Sequence, residues 1–268
     1  MNQLETFLSQ FKGQTISIAV HDLETETDIL INADEMMHPA STMKVTVMME
    51  VFRQAGAGLL SADERLTILN SFKSIADGSG YTLEEADDSE PTLYKRIGET
   101  ETIRELNRLM IVRSSNLAAN LLMERVGTSR VDAFIKELGI ADMAVIRGLE
   151  DKKAQRLNIN NSASAHSSTH LLRLIAEGRL ISREACDEMI EVMSGQAFNE
   201  SIPALLPADV KVAHKTGWSD DFFHDVGIVF PSARRPYIIS LFTRGFSEDK
   251  DAHHCMAQIS KIIYEGIV

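Results

Sequence analysis

A serine followed three residues later by a lysine can be a nucleophile beside its own base, and the chain carries that spacing at Ser41 and Lys44. A serine hydroxyl attacks an acyl carbon only when a neighbouring group takes its proton, and residues at i and i+3 share a helix face. A lysine can be that group only if burial or nearby positive charge lowers its pKa. Two distant strings supply the other parts of an acyl-transfer site. Ser114-Ser115-Asn116 offers a second hydroxyl and a side-chain amide, and Lys215-Thr216-Gly217 a cation and a hydroxyl suited to an anion. Lys215 is also a source of the positive charge that would depress Lys44.

The first spacing alone selects little, because Ser9 to Lys12 and Ser247 to Lys250 repeat it. Context separates them. Ser41 follows Pro39-Ala40 and opens a segment with Val45, Met48, Met49 and Phe52 on one helical face, the pattern of a buried helix. A nucleophile at that N-terminus would have unpaired backbone N–H groups at hand for an oxyanion. Ser9 falls near the end of an expected first helix and Ser247 before the acidic opening of the last, so both read as solvated chance matches.

S-x-N and K-T-G each occur once. With S-x-x-K they form an ordered set that resembles the penicillin-recognising serine enzymes, class A β-lactamases and penicillin-binding proteins, with class A the better fit. The run Asn116-Leu117-Ala118-Ala119-Asn120-Leu121-Leu122 and the preceding Thr102-Ile103-Arg104-Glu105-Leu106 extend the resemblance over most of the chain. It implies that Ser41 is acylated, that Lys44 accepts its proton, and that Ser114 passes a proton to the leaving nitrogen. Asn116 would bind the substrate's side-chain amide, Lys215, Thr216 and Gly217 its carboxylate, and the backbone N–H groups of Ser41 and Trp218 would form the oxyanion hole. The implied partner is a small molecule, a β-lactam. The alternatives are a D-Ala-D-Ala peptidase or esterase of the same superfamily, and a binding or sensor module that stays acylated.

Two positions depart from the class A pattern. Ser115 stands where that pattern usually has aspartate. The glutamate that activates water for deacylation is matched in spacing by Glu150, 34 residues after Asn116, but E-x-x-L-N is absent. The chain reads Glu150-Asp151-Lys152-Lys153-Ala154, with Leu157-Asn158 displaced toward the C-terminus, and Asp151 is the nearest substitute. Without the resemblance this stretch reads as a solvated charge run.

Composition fits a compact enzyme: 268 residues, 44% hydrophobic and 25% charged. A net charge of −12 argues against nucleic acid and anionic membrane surfaces as partners. Met1 to Thr6 shows no signal-peptide pattern and no stretch is long and apolar enough to span a bilayer, so the expectation is a cytoplasmic protein, or an exported one whose leader was removed. Cys186 and Cys255 are too few for a disulfide framework, and Cys186 falls on an apolar face with Met189, Ile190 and Met193. His166 and His170 have i, i+4 spacing but lack the glutamate of a zinc helix, so no metal or cofactor is expected. His214 and His224 flank the third string without an assigned task. Oligomeric state is not legible.

These residues need a scaffold, and the pattern gives one. Strand signals lie at Ile16 to Val20 and Ile29 to Ile31, then only at Val210 to Lys215, Val226 to Phe230 and Tyr237 to Thr243. Both chain ends must build one sheet. Between them the periodicity is helical, with Thr128 and Ser182 as caps and Gly139 as a stop. The expected fold is α/β (α+β): an antiparallel sheet from both ends flanked by terminal helices, residues 1–40 and 205–268, with an all-helical lobe, 41–204, inserted and a cleft at the junction. Asp77 to Pro91, with six acidic or hydroxyl-bearing positions from Glu84 to Glu90, reads as a long solvated loop on which Tyr81 could meet substrate.

Overall fold

The structure, a computed structural model, describes residues 2–267. In chain order, α1 (Asn2–Leu8) leads into strands β1 (Thr15–Asp22) and β2 (Thr27–Ile31). The helices α2 (Lys44–Gly56), α3 (Ile103–Val112), α4 (Asn116–Val126), α5 (Thr128–Glu137) and α6 (Lys152–Arg156) follow. Then come α7 (Ala165–Ala176), α8 (Arg183–Ser194), strands β3 (Lys211–Ser219), β4 (Phe222–Phe230) and β5 (Tyr237–Arg244), and α9 (Asp249–Ile267). The chain forms two compact units, one joining residues 2–42 to residues 163–267, the other Met43–Ser162. No helix among the described residues is long and apolar enough to cross a membrane.

The first unit is built on a five-stranded antiparallel sheet in the order β2-β1-β5-β4-β3, so both chain ends do contribute to it. Side chains alternate across a strand. On β5, Tyr237, Ile239 and Leu241 join a core with Leu4 of α1 and Met256, Ile259 and Ile263 of α9. Ser240, on the opposite face, receives the Thr169 hydroxyl of α7 at 2.8 Å, and the same hydroxyl reaches the Ala19 carbonyl at 3.1 Å. Covered on both faces, β5 is buried from Tyr237 to Thr243, which explains its nearly unbroken apolar sequence.

The expected lobe boundary therefore shifts. Residues 163–204 are expected in the helical lobe from their periodicity, yet α7 and α8 belong to the unit that holds the sheet. Helical periodicity marks an apolar stripe but not what the stripe meets. Here it meets strands, α7 on β1 and β5 and α8 on β3.

The second unit is helical at its centre. In α2 every residue from Lys44 to Val51 is buried, and the buried Glu50 carboxylate is satisfied by Arg53 at 2.6 and 2.7 Å and by Gln54 at 2.6 Å. In α4 Leu117 to Met123 is likewise buried throughout. Two local expectations change. Thr128 is the first residue of α5 rather than its cap; Gly127, at φ 87°, takes the cap position without a side-chain bond. The 77–91 stretch is not a simple loop: Gly80–Tyr81 pairs with Phe72–Lys73, Glu85–Asp87 makes one 3-10 turn, and Asp88 and Glu90 are buried. A run of acidic residues looks solvated in sequence because its few buried partners lie far along the chain.

Candidate active site

In the first unit the nucleophile candidate lies on a 3-10 turn, Ala40–Met43, that runs straight into α2, so Ser41 precedes the α-helix rather than opening it. Ala40 holds a left-handed backbone, φ 47°, a conformation a non-glycine residue keeps only when its surroundings fix it. Part of that fixation comes from His224. Its Nε2 lies 2.9 Å from the His38 carbonyl, its Nδ1 lies 2.7 Å from the Phe223 carbonyl and 3.2 Å from the Thr243 amide, and its ring stacks on Phe242 at 4.1 Å. Burial pushes the His224 pKa down to about 4, so the ring is neutral at neutral pH.

Strand β3 brings the third string to the same segment. A side chain at Gly217 would place its Cβ 2.8 Å from the Ser41 amide nitrogen and 2.9 Å from that of Thr42, so only glycine allows this approach. Lys215 is fully buried, with Nζ donating to the Thr216 carbonyl at 2.7 Å. Trp218 is 41% exposed and packs edge-on against Phe198 at 5.2 Å. Thr216, whose hydroxyl is buried, lines a cavity of about 660 Å³ together with Phe198, Trp218, His253 and His254.

In the second unit Lys44, Ser114, Asn116 and Glu150 form one hydrogen-bonded group. Lys44 Nζ donates to the Ser114 carbonyl at 2.7 Å, the Asn116 Oδ1 at 2.8 Å and the Ser114 hydroxyl at 3.4 Å. Asn116 Nδ2 then donates to Glu150 Oε1 at 2.9 Å. Full burial brings the Lys44 pKa down to about 7, against the opposing pull of the Asp88 and Glu150 charges. Burial raises the Glu150 pKa, while bonds from the Glu84 amide and Asn116 hold it back. Ser114 and Glu150 both have left-handed backbones, φ 56° and 58°. Strain at two members of one cluster is a mark of a functional site.

A family model described as the β-lactamase enzyme family matches residues 1–267. The chain belongs to that family. A β-lactamase of Citrobacter koseri is 24% identical over 270 residues, covering 97% of this chain and 86% of the relative. The fold is shared with a solved β-lactamase from Chitinophaga pinensis at a TM-score of 0.86 and 22% identity, covering 100% of this chain and 98% of that one. It is also shared with a PBP-A mutant captured as an acyl-enzyme complex with penicillin G, at a TM-score of 0.83 and 20% identity over 99% and 94% of the two chains.

Against this β-lactamase-family frame the remaining candidates sort by geometry. Asp151 accepts from the Ser74 hydroxyl and the Ile75 and Ala154 amides at 2.8 to 3.0 Å, so its oxygens are engaged in capping α6 and holding residue 75. Leu157 is 62% exposed, and the Asn158 side chain accepts an exposed bond from Asn160 while its amide donates to the Gln155 carbonyl, which points neither at Glu150. His166 pairs with Asp34 at 2.7 Å. His21, Glu26 and Glu177 bring three ligand atoms within 4.8 Å of one another, but Arg173 already donates to both carboxylates at 2.8 Å. Both cysteines are buried. His214 bonds Asp225 at 2.9 Å inside the sheet unit.

Residues that the motifs did not single out build much of the support. Asn120 accepts from the Leu149 amide at 2.8 Å and donates to its carbonyl at 3.1 Å. Asn161 accepts from the Ile146 and Arg147 amides at 2.8 and 3.0 Å. Asn120 stood in the sequence as part of the run from Asn116 to Leu122 that carries the resemblance, and its place four residues after Asn116 puts it on the same face of α4, but neither signal gave it a task.

Proposed function

We propose that the protein is a serine hydrolase that opens β-lactam amides through an acyl-enzyme on Ser41. The observation that carries the reading is Lys44: a fully buried lysine bonded to the Ser114 carbonyl and Asn116, its pKa brought down to about 7 by that burial, three residues after the serine. Ser41 Oγ attacks the lactam carbonyl carbon and its proton passes to Lys44 Nζ. As the C–N bond breaks, the nitrogen takes a proton from Ser114, which Lys44 resupplies. The oxyanion is received by the Ser41 and Trp218 backbone amides. Asn116 orients the substrate amide, and Lys215 and Thr216, on the strand where Gly217 permits close approach, hold its carboxylate.

Water then cleaves the ester. Glu150, raised in pKa and held by Asn116, takes the water's proton as the oxygen attacks the acyl carbon, and that proton passes on to the Ser41 oxygen as the ester C–O bond breaks, leaving both groups as they began. Intact-mass measurement with penicillin G, alongside turnover of a chromogenic cephalosporin, tests the sequence of steps. The expected result is many turnovers for the wild type and a persistent adduct on Ser41 in Glu150→Gln. One adduct per chain without turnover in the wild type would make it an acylated binding module instead. Ester hydrolysis with no penicillin adduct would make it a peptidase or esterase.

A further inference from the structure

The family resemblance expects an aspartate at residue 115, and the chain has serine there. An aspartate in that place would be the N-cap of α4, where one carboxylate can serve the orphan amides of the first turn and put a negative charge on the helix N-terminus. Ser115 does only part of this. Its hydroxyl accepts from the Ala118 amide at 3.2 Å, but it is neutral and leaves the Leu117 amide to another partner.

That partner is Asp88, from the acidic stretch that looked like a solvated loop. Its Oδ2 accepts from the Leu117 amide at 2.8 Å, from the Tyr94 hydroxyl at 3.1 Å and from the Ser115 hydroxyl at 3.3 Å. Its Oδ1 accepts from the Glu90 amide at 2.9 Å. The residue is 7% exposed, and four hydrogen-bond donors account for a buried aspartate. The same segment touches the motif once more, where Asn116 Nδ2 reaches the Asp87 carbonyl at 3.4 Å.

We propose that Asp88 is a positioning residue for acylation, supplying from the 77–91 segment the carboxylate that the family carries at residue 115. The two duties of a capping aspartate are divided, the Ala118 amide going to Ser115 and the Leu117 amide, with the negative charge, to Asp88. The left-handed backbone of Ser114 leads directly into the turn these bonds fix. The Ser115 amide donates to the Leu109 carbonyl at 3.1 Å, and Asp88 holds the Ser115 hydroxyl and the Leu117 amide that follow. Lys44 depends on the result, since two of its acceptors, the Ser114 carbonyl and Asn116 Oδ1, move with this turn.

The inference rests on the proposed acylation of Ser41, and moving the carboxylate tests it. Asp88→Ala should slow acylation by penicillin G by about 100-fold, the scale of a displacement near 1 Å at a reacting group. The double variant Asp88→Ala with Ser115→Asp should return acylation to near the wild-type rate, which recovery of stability alone would not do. Asp88→Asn, of the same shape but uncharged, should fall between and covers the case in which the alanine variant does not fold. Hydrogen exchange at the Leu117 amide, read without substrate, should accelerate in Asp88→Ala and slow again in the double variant. Wild-type acylation in Asp88→Ala, or a folded double variant as slow as the single, would overturn the inference. A wild type that takes no adduct would instead remove the acylation reading, and unchanged Leu117 exchange in Asp88→Ala would remove the structural role of Asp88 by itself.

Discussion

The supports of Ser41 and of Glu150 are made differently. Ser41 is held by backbone: the register that pairs Gly217 with His224 places a residue without a side chain against its amide, and His224 ties down the His38 carbonyl. Glu150 is held by amide side chains, with Asn116 on its carboxylate, Asn120 on Leu149 and Asn161 on Arg147. Backbone support leaves little freedom and tolerates almost no added atom. Side-chain support is assembled from separate bonds, each worth about 0.5 to 1.5 kcal/mol net, and can be weakened one bond at a time. Acylation should accordingly be lost abruptly and deacylation in steps.

The largest expected effect comes from the base itself. Lys44→Met should lower kcat/KM by roughly 10⁴-fold, the scale seen when a catalytic partner is removed. In the wild type, acylation should rise as pH passes through about 7, where Lys44 becomes neutral. Stability carries the same signature. Below about pH 7 Lys44 is protonated folded and unfolded, and its burial costs most. Between there and the ordinary 10.5 the unfolded chain binds more protons, so the wild type should gain stability relative to Lys44→Met as pH rises through that window, measured by denaturant unfolding.

Gly217→Ala comes next, with a Cβ 2.8 Å from the Ser41 nitrogen. Acylation should drop by about 100-fold while hydrolysis of adduct already formed changes much less. Asn120→Ala removes both bonds to Leu149 and should slow deacylation by about tenfold, leaving acylation close to wild type in single-turnover kinetics. If it slowed both steps equally, the contrast between the two supports would fail. His224→Phe should have the smallest effect. The ring can still stack on Phe242, but the His38 bond is lost, at about 1 kcal/mol in thermal unfolding and a severalfold loss confined to acylation.

Legibility in sequence follows the same division. The sheet from both chain ends was readable because alternation and apolar runs are local properties of strands. The three motif strings were readable because their spacing sets them on a helix start or one strand. Where α7 and α8 belong was not, since an apolar helical stripe is the same whether it covers a helix or a sheet. His224 had no task assigned because what it grips is a carbonyl 186 positions earlier. Asp88 was hidden inside a run of charges whose solvated appearance depends on ignoring distant amides.

The sequence by itself picked out Ser41 as the candidate nucleophile, the lysine that follows it, the motif order and the family they resemble, since these reside in residue type and short spacing. Only the tertiary structure decided that Glu150 joins Asn116 and Lys44 while Asp151 turns away to cap α6, and that Asp88 supplies the charge missing at Ser115. The physical reason is that a buried carboxylate is defined by its donors. Those of Asp88 include amides and hydroxyls brought in from α4 and residue 94, and those of Asp151 include Ser74 and Ile75, 76 and more positions away.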